Sequence, residues 1–255
     1  MQKPLILVTN DDGITAPGIS FLVTVAKQFG DVAVLAPDKP QSGMGHAITI
    51  NSTLRLQKSN FHNVMIEYSC SGTPVDCVKM AVNKILPRKA DLVLSGINHG
   101  SNSSINVIYS GTMSAAIEGA LENAPAIGFS LCDYSIDADF TQAKEFIAKI
   151  ISDTLKQKLP IGVCLNVNIP KLNADVIKGV KVCRQAKANW VEEFEERFDP
   201  YGRPYYWLTG KFVNFEPEST DTDEWALANG YISVVPTQCD LTSHQHLATI
   251  KTLLQ

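Results

Sequence analysis

The fold of this chain is decided by residues 5–13, Leu-Ile-Leu-Val-Thr-Asn-Asp-Asp-Gly. The first five of these residues are apolar or β-branched without a break, which is typical of a short strand buried on both faces. Three polar residues and a glycine follow at once, so the strand is predicted to end in a tight acidic turn. Ligands of open parallel sheets bind beyond the carboxyl ends of the strands, and this stretch therefore predicts a strand and a site together.

The residues after the acidic turn complete a strand–helix–strand unit. Beyond a turn at residues 10–18, apolar side chains recur at helical spacing, and Gly30 is predicted to close that helix. The apolar helix positions are Ile19, Leu22, Val23, Ala26 and Phe29. Residues 31–36, Asp-Val-Ala-Val-Leu-Ala, are predicted to form a second buried strand. Such a unit implies two parallel strands joined by a right-handed crossover.

The same alternation continues along the chain. Further strands are predicted at residues 48–56 and 64–69, as a hairpin or excursion, and at 91–96, 126–131 and 162–169. Helices are predicted at 111–123, at 140–157 and after Thr73, where a Thr-Pro-Val-Asp sequence supplies the cap, a first-position proline and an acid. The pattern predicts an α/β fold with a three-layer, doubly wound, mostly parallel, Rossmann-like sheet over about the first 170 residues.

The sequence changes character towards its C-terminus. Two β segments within residues 189–214 flank an Asp-Pro-Tyr-Gly turn, which predicts a protruding hairpin. A short helix at 222–228, a strand at 231–235 and a final helix at 243–254 are predicted to follow. We expect one domain over residues 1–255, with a core of about 1–180 and an arm and C-terminal segment of about 181–255.

Composition excludes several classes of protein. The formal net charge of -4 supplies no basic field for binding duplex nucleic acid. No apolar run approaches the ~20 residues that a membrane helix needs, and the N-terminal apolar run is too short for a signal peptide, so a cytoplasmic location is expected. The six cysteines show no Cys-x-x-Cys spacing and are predicted to be buried free thiols.

Four polar turns are predicted to lie at strand ends or at a helix start. They are residues 10–13, 41–43, 95–102 and 109–112. Together they supply two carboxylates, hydroxyl and amide oxygens, and glycines that let backbone N–H groups approach an anion. Oxygen ligands suit Mg²⁺ or Mn²⁺ better than zinc, so the set predicts a site that handles phosphate with a metal.

Each turn has a plainer interpretation when it is taken alone. The acidic turn and residues 109–112 could be helix caps, and residues 41–43 an ordinary loop. Because the turns are predicted to lie together, the interpretation as a metal- and phosphate-binding site is favoured over separate caps and loops. His46 and His99 lie in the candidate loops, and the sequence leaves their roles open between acid or electrostatic aid and simple exposure. Neither a P-loop nor a dinucleotide-binding glycine motif follows the first strand.

These motifs, in their order along the chain, resemble the SurE family of stationary-phase survival proteins. The resemblance is carried by residues 8–13 with 16–18, 36–37 with 41–43, 95–98 with Gly100 and Asn102, and 109–112 with 115–116 and 118–119. It extends to residues 72–74 and 240–242, so it covers essentially the whole chain. Residues 103–106 depart from the family, because a glycine that many members carry there is absent.

The resemblance implies a metal-dependent 5′-nucleotidase. One divalent cation, Mg²⁺ or Mn²⁺, would be bound by Asp11, Asp12, Ser42 and Asn98. The phosphate would be surrounded by Asn10, Gly43, Asn98, Asn102, Ser110, Gly111 and Thr112. The family hydrolyses nucleoside monophosphates, some members also cleave 3′-nucleotides or short polyphosphate, and its subunits form homodimers or homotetramers that exchange C-terminal segments. The aromatic hairpin would be the exchanged arm.

The hypothesis that follows is in-line attack of water on a metal-bound phosphate monoester, with Asp11 and Asp12 as the catalytic carboxylates. The sequence does not decide which of them acts as general base. The Asp-x-Asp spacing of haloacid-dehalogenase-type enzymes is missing, which disfavours a covalent aspartyl phosphate. Two rival functions remain: a nucleotide-sugar transferase that holds a metal diphosphate, and a nucleotide sensor that binds without turnover.

Overall fold

The computed structural model describes residues 2–255, and of Glu192 only the backbone. The strands are β1 (Leu5–Thr9), β2 (Asp31–Pro37), β3 (Leu56–Lys58), β4 (Ile66–Cys70), β5 (Leu92–His99), β6 (Ala126–Leu131), β7 (Val163–Ile169), β8 (Val180–Val182), β9 (Ala188–Phe198), β10 (Pro204–Asn214) and β11 (Ile232–Gln238). The α-helices are α1 (Pro17–Ala26), α2 (Pro74–Met80), α3 (Asn106–Tyr109), α4 (Gly111–Leu121), α5 (Lys144–Gln157), α6 (Asp223–Ala228) and α7 (Leu247–Leu253). A π-helical turn, Ala81–Ile85, continues α2, and 3₁₀ turns at Thr141–Ala143 and His244–His246 precede α5 and α7.

Within residues 2–255, nine strands form one sheet in the order β3-β4-β2-β1-β5-β6-β7-β11-β8. Neighbours from β4 to β7 are parallel, whereas β3 pairs antiparallel with β4 and β11 antiparallel with β7. The predicted doubly wound, mostly parallel α/β sheet is therefore confirmed. The sequence did not predict that β8 and β11, from the C-terminal part, extend the same sheet.

Two hydrophobic layers explain why the central strands are apolar without alternation. Ile6 and Val8 of β1 pack in one layer with α1 and α5, whereas Leu5 and Leu7 face a second layer that contains α2 and α4. All five residues of β1 are buried. Helices therefore cover both faces of the sheet, as a continuous run of apolar strand residues requires.

The start of α2 follows its prediction closely. Thr73 caps the helix by accepting a hydrogen bond from the backbone N–H of Asp76, and the Asp76 carboxylate accepts one from the backbone N–H of Thr73. Pro74 occupies the first turn, where a missing N–H costs nothing. This reciprocal capping box fixes the direction in which α2 leaves the sheet.

The strand predicted at residues 48–56 is wrong, because only Leu56–Lys58 pairs with β4. Ile48 and Ile50 are exposed, so their alternation does not mark a buried face. Thr49 instead donates two hydrogen bonds to Asp76, from its hydroxyl at 2.5 Å and from its backbone N–H at 3.1 Å. The segment is therefore held over the start of α2 and not beside the sheet.

Gly30 does not close α1, which already ends at Ala26. A Cβ on Gly30 would lie 2.2 Å from the carbonyl oxygen of Pro4. The glycine is needed because the backbone enters β2 in close contact with the residue that precedes β1. Close approach, and not a left-handed helix end, is its physical reason.

The C-terminal part contains the predicted hairpin. Strands β9 and β10 form a separate two-stranded antiparallel sheet in which Ala188 pairs with Asn214 and Phe198 with Pro204. Most of the side chains on β10, and all of those on α7, are partly or fully exposed. Among residues 2–255, no helix is both long and apolar enough to cross a membrane.

All six cysteines are free thiols, as predicted. Four of them are buried, but Cys132 is only partly buried and Cys239 is exposed. The prediction of burial is therefore wrong for Cys239, which lies just beyond the end of β11.

Candidate active site

The acidic turn after β1 is built around Asn10. Its side-chain Nδ2 donates a hydrogen bond to the carbonyl oxygen of Gly13 at 2.9 Å, which closes the turn. Gly13 has φ +97°, a left-handed conformation that other residues rarely adopt. Asn10 and Asp11 are buried, whereas Asp12 is partly exposed. The turn therefore presents one buried and one accessible carboxylate.

Helix α4 reaches this turn from the other side of the sheet edge. The Thr112 hydroxyl donates a hydrogen bond to Asp11 Oδ1 at 2.5 Å. A Cβ on Gly111 would lie 2.7 Å from the Cβ of Asp11 and 2.9 Å from its Oδ2. Glycine at this position therefore lets the positive end of α4 contact the Asp11 carboxylate. Ser110 caps α4 by accepting a hydrogen bond from the N–H of Met113 at 3.0 Å.

Burial raises the pKa of Asp11 to about 6, and the neighbouring charge of Asp12 acts in the same direction. The hydrogen bond from Thr112 opposes both effects without cancelling them. Ionising both Asp11 and Asp12 without a bound cation therefore costs free energy. A cation bound between them would remove this cost, because it favours the charged form of each.

The loop after β2 is tied to the acidic turn by its backbone. The N–H of Gln41 donates to the carbonyl oxygen of Asp11 at 2.7 Å, and the N–H of Gly45 donates to that of Tyr109 at 3.1 Å. Ser42 and Gly43 lie between these anchors and are exposed. Gly43 has φ +76°, and a Cβ there would meet no other atom within 4 Å. The space beside Ser42 and Gly43 is therefore open to a ligand.

Asn98 and His99 are the last two residues of β5, just beyond the part of this strand that pairs with β1. Asn98 Nδ2 donates to the carbonyl oxygens of His99 and Gly100, at 3.1 and 2.9 Å. This orientation leaves Asn98 Oδ1 as the atom that can bind a cation. His99 Nδ1 lies 3.3 Å from Asp12 Oδ2, and the ring packs edge-on against Phe140. His99 therefore orients one of the two carboxylates.

Asn102 is hydrogen-bonded to residues of the neighbouring strands β6 and β7. Its contacts are with β6 and β7: its backbone N–H donates to Asn168 Oδ1 at 2.7 Å and its Nδ2 to Ser130 Oγ at 2.9 Å. Asn166 Nδ2 donates to the Asn102 carbonyl oxygen at 2.9 Å. This buried network was not predicted from the sequence. Its signal is the pair Asn166 and Asn168, two amides on one face of an apolar strand, since buried polar groups need partners.

His46 does not join the acidic turn. Its Nε2 lies 2.9 Å from Glu118 Oε2, and Lys79 Nζ lies 2.6 Å from Glu118 Oε1. Burial of Glu118 would raise its pKa, but the hydrogen bonds from His46 and Lys79 outweigh burial and lower it. Glu118, which the sequence marked only as part of the family motif and without a role, thus anchors the end of the 41–46 loop.

The donor atoms fit a hard divalent cation. Among residues 2–255, no three His, Cys, Asp and Glu side chains come together in a group that could hold a metal ion. The predicted set of two carboxylates, a hydroxyl and an amide contains only oxygen ligands. Four buried polar atoms at this edge have no hydrogen-bond partner among the described residues: Thr9 Oγ1, Asn10 Oδ1, Ser95 Oγ and His99 Nε2. This edge of the sheet therefore contains polar atoms whose hydrogen bonds the described residues do not supply.

The fold and the site define an α/β protein that gathers oxygen ligands and a helix N-terminus at the carboxyl edge of a parallel sheet. The family model described as Survival protein SurE matches residues 6–192. A protein named 5′-nucleotidase SurE from Flavobacterium johnsoniae is 65% identical over 252 residues, which cover 98% of this chain and 97% of that protein. The chain belongs to the SurE family.

Other relatives agree over the same length. The 5′-nucleotidase SurE of Chlorobium phaeobacteroides is 42% identical over 251 residues, covering 98% of this chain and 96% of that protein. The crystal structure of the SurE protein from Aquifex aeolicus is similar with a TM-score of 0.86 and 39% sequence identity. It covers 99% of this chain and 100% of that one. The likeness therefore includes the C-terminal hairpin region as well as the core.

Proposed function

We propose that this chain is a metal-dependent 5′-nucleotidase that hydrolyses nucleoside monophosphates to nucleoside and inorganic phosphate. The observation that carries the proposal is the meeting of four chain segments at the acidic turn. Gln41 and Thr112 both contact Asp11, and His99 contacts Asp12. The activity named for the relatives supports the same assignment.

Four residues would hold one Mg²⁺ or Mn²⁺ ion: Asp11, Asp12, Ser42 and Asn98. The bound ion would supply charge neutralisation at the phosphoryl oxygens and a lower pKa for a coordinated water. Asn10, Gly43, Asn98, Asn102, Ser110, Gly111 and Thr112 would surround the phosphate. The N-terminus of α4 favours this placement, because its backbone N–H groups and helix dipole attract an anion.

The two carboxylates differ in what they can do. Asp11 is buried and its Oδ1 already accepts the Thr112 hydroxyl, so it serves to hold charge in place. The Asp12 side chain is about 20% exposed and is oriented by His99, so Asp12 is the carboxylate that can reach a water molecule. We assign it the role of general base: it accepts the proton as the water oxygen bonds to phosphorus and the phosphorus–ester oxygen bond breaks.

The proposal predicts that chelation abolishes activity without unfolding the protein. EDTA-treated protein should release no phosphate from AMP or p-nitrophenyl phosphate, and Mg²⁺ or Mn²⁺ should restore release while the circular dichroism spectrum stays unchanged. A panel of 5′- and 3′-mononucleotides and short polyphosphate measures the additional activities. Unchanged activity after chelation would contradict metal dependence. Nucleotide binding without phosphate release would favour a sensor, and sugar transfer a nucleotide-sugar transferase.

We also propose that the chain acts as a homodimer or homotetramer through its arm and C-terminal segment, residues 181–255. Phe194 and Trp207 on the hairpin and Leu253 on α7 are each more than half exposed, which a second copy would cover. Light scattering after gel filtration should give at least twice the monomer mass, and Phe194→Glu with Leu253→Glu should lower it. A monomeric mass for the unaltered chain would contradict this arrangement.

A further inference from the structure

Two hydrogen bonds connect helix α6 with the loop that follows β5, residues 101–104, which we call the serine loop. The Ser103 hydroxyl donates to Glu224 Oε1 at 2.5 Å. The backbone N–H of Ser104 donates to Asp223 Oδ2 at 2.7 Å. The partners are 121 and 119 positions apart in the sequence. Two consecutive residues of the serine loop are therefore held by two consecutive carboxylates of the C-terminal part.

Ser104 has a backbone conformation that makes these contacts necessary. Its φ is +52°, a left-handed value that residues other than glycine adopt at a cost. Ser104 is fully buried, and its hydroxyl lies 2.9 and 3.0 Å from the carbonyl oxygens of Ala186 and Ala188, where the chain enters the hairpin. The contacts with the C-terminal part offset the cost of this conformation.

The serine loop carries Asn102, which belongs to the proposed phosphate site. Its backbone is bonded on both sides to β7, through Asn166 and Asn168. Its Nδ2 donates one of two protons to Ser130 Oγ, which leaves the second proton for a phosphate oxygen. The sheet thus fixes Asn102 itself, and α6 fixes the two residues that follow it.

The two carboxylates of α6 are placed where ionisation is costly. Burial raises the pKa of both Asp223 and Glu224. Asp223 accepts hydrogen bonds from three backbone N–H groups, which are those of Ser104, Ala186 and Glu224. For the Glu224 side chain, the donor among the described residues is the Ser103 hydroxyl, which opposes the effect of burial on its pKa. The Glu224 carboxylate is therefore committed to the serine loop.

We propose that Glu224 is a positioning residue for phosphate binding: through Ser103 it holds the serine loop, and with it Asn102, in the conformation that receives the phosphate. The inference rests on the proposed nucleotidase function and gives the C-terminal part of the chain a role in the active site. Glu224 itself does not touch the phosphate, so its loss should weaken the binding of substrate and transition state alike. Such a change raises KM and leaves kcat nearly unchanged.

Steady-state kinetics with AMP and Mg²⁺ test this role. Ser103→Ala and Glu224→Ala should each raise KM about 5- to 20-fold and change kcat less than about threefold, since each removes the same hydrogen bond to a charged group. The double variant should be no worse than either single variant, because the two residues act through one bond. Glu224→Gln should return KM to within about threefold of the unaltered chain, since its amide oxygen can accept the Ser103 hydroxyl.

Glu218→Ala is the matched control, because Glu218 is an exposed residue of the loop before α6, and it should leave KM unchanged. Additive effects of Ser103→Ala and Glu224→Ala would overturn the positioning role. A lower kcat with unchanged KM would also overturn it, because a merely structural contact changes only the amount of active protein. Ser103→Ala breaks the bond from the side of the loop, so the experiment stays decisive if Glu224→Ala does not fold.

Titration calorimetry of inorganic phosphate in Mg²⁺-containing buffer tests the same contact without turnover. The Kd should be the same for the unaltered chain and Glu218→Ala, and about 5- to 20-fold higher for Ser103→Ala. Equal Kd values for all variants, with normal phosphate release from AMP, would overturn the positioning role and leave the nucleotidase intact. Phosphate binding that depends on Ser103, without phosphate release from AMP, would instead overturn the proposed nucleotidase function alone.

Discussion

Replacing Asp11 by Asn should lower kcat/KM for AMP by about 1,000-fold or more, because it removes one of the two charges that would hold the proposed cation. Asparagine keeps the shape of the side chain and an oxygen that can accept the Thr112 hydroxyl. The fold should therefore survive. Asp175→Asn is a matched control, since Asp175 is an exposed loop residue, and its activity should equal that of the unaltered chain.

The same variant should be more stable than the metal-free parent at neutral pH. The pKa of Asp11 is raised to about 6 from 3.8, so the folded state holds a proton more tightly than the unfolded state does. Its burial cost is therefore absent below pH 3.8, grows as the pH rises towards 6, and is fully present above it. At pH 8 the difference amounts to about 3 kcal/mol in favour of Asp11→Asn, as an upper value.

Urea unfolding of both metal-free proteins between pH 4 and 8 measures this difference. The gap in the free energy of unfolding should widen from pH 4 to about 6 and then level off. Mg²⁺ should reverse the order by stabilising only the parent. A constant gap at all pH values would mean that Asp11 is ionised at little cost, and activity retained by Asp11→Asn after EDTA treatment would refute its proposed role.

Replacing Gly111 by Ala should lower activity by about 100-fold or more. The new Cβ would lie 2.7 Å from the Asp11 Cβ, which its backbone fixes, so either the carboxylate or the start of α4 must move. Displacement of about 1 Å at reacting groups costs on the order of 100-fold in rate. Overpacking should also destabilise the protein by about 1–3 kcal/mol. Gly111 has no left-handed φ, so backbone strain does not contribute.

The variant Gly162→Ala is a control that separates an effect on stability from an effect on the active site. Gly162 has φ +78° with nothing within 4 Å, and it lies at the start of β7, away from the carboxyl edge. Alanine there should destabilise the chain through its backbone conformation and leave kcat/KM unchanged. Steady-state kinetics and urea unfolding of both variants make the comparison. Normal activity of Gly111→Ala would show that α4 does not approach Asp11 as closely as the structure has it.

Predictions from the sequence were most accurate where local residue preferences and long-range packing favour the same structure. β1 and β6 have their predicted bounds, because a strand buried on both faces must be apolar throughout. The capping box at Thr73 is local and was predicted in full. The alternation at residues 48–56 misled because Thr49 is bonded to a helix start and not to a neighbouring strand, a contact between residues 27 positions apart.

The candidate active site also contains features that the sequence predicted and contacts that only the structure showed. The four polar turns were predicted from strand ends and a helix start, and the structure brings the other three to Asp11 and Asp12 of the first through direct contacts. The role of His99 became clear only from its distance to Asp12, and that of His46 from its bond to Glu118. Neither partner can be chosen from sequence, because 87 positions separate one pair and 72 the other.

The sequence by itself determined the parallel α/β class, the acidic turn after β1 and the family, because burial periodicity and the order of motifs are properties of the chain. Only the tertiary structure decided that Asp11 is buried, which raises its pKa. It also decided how close α4 comes to the acidic turn, which requires glycine at position 111. These features depend on packing between distant segments of the chain. Such packing cannot be predicted from the spacing of apolar residues in a single sequence.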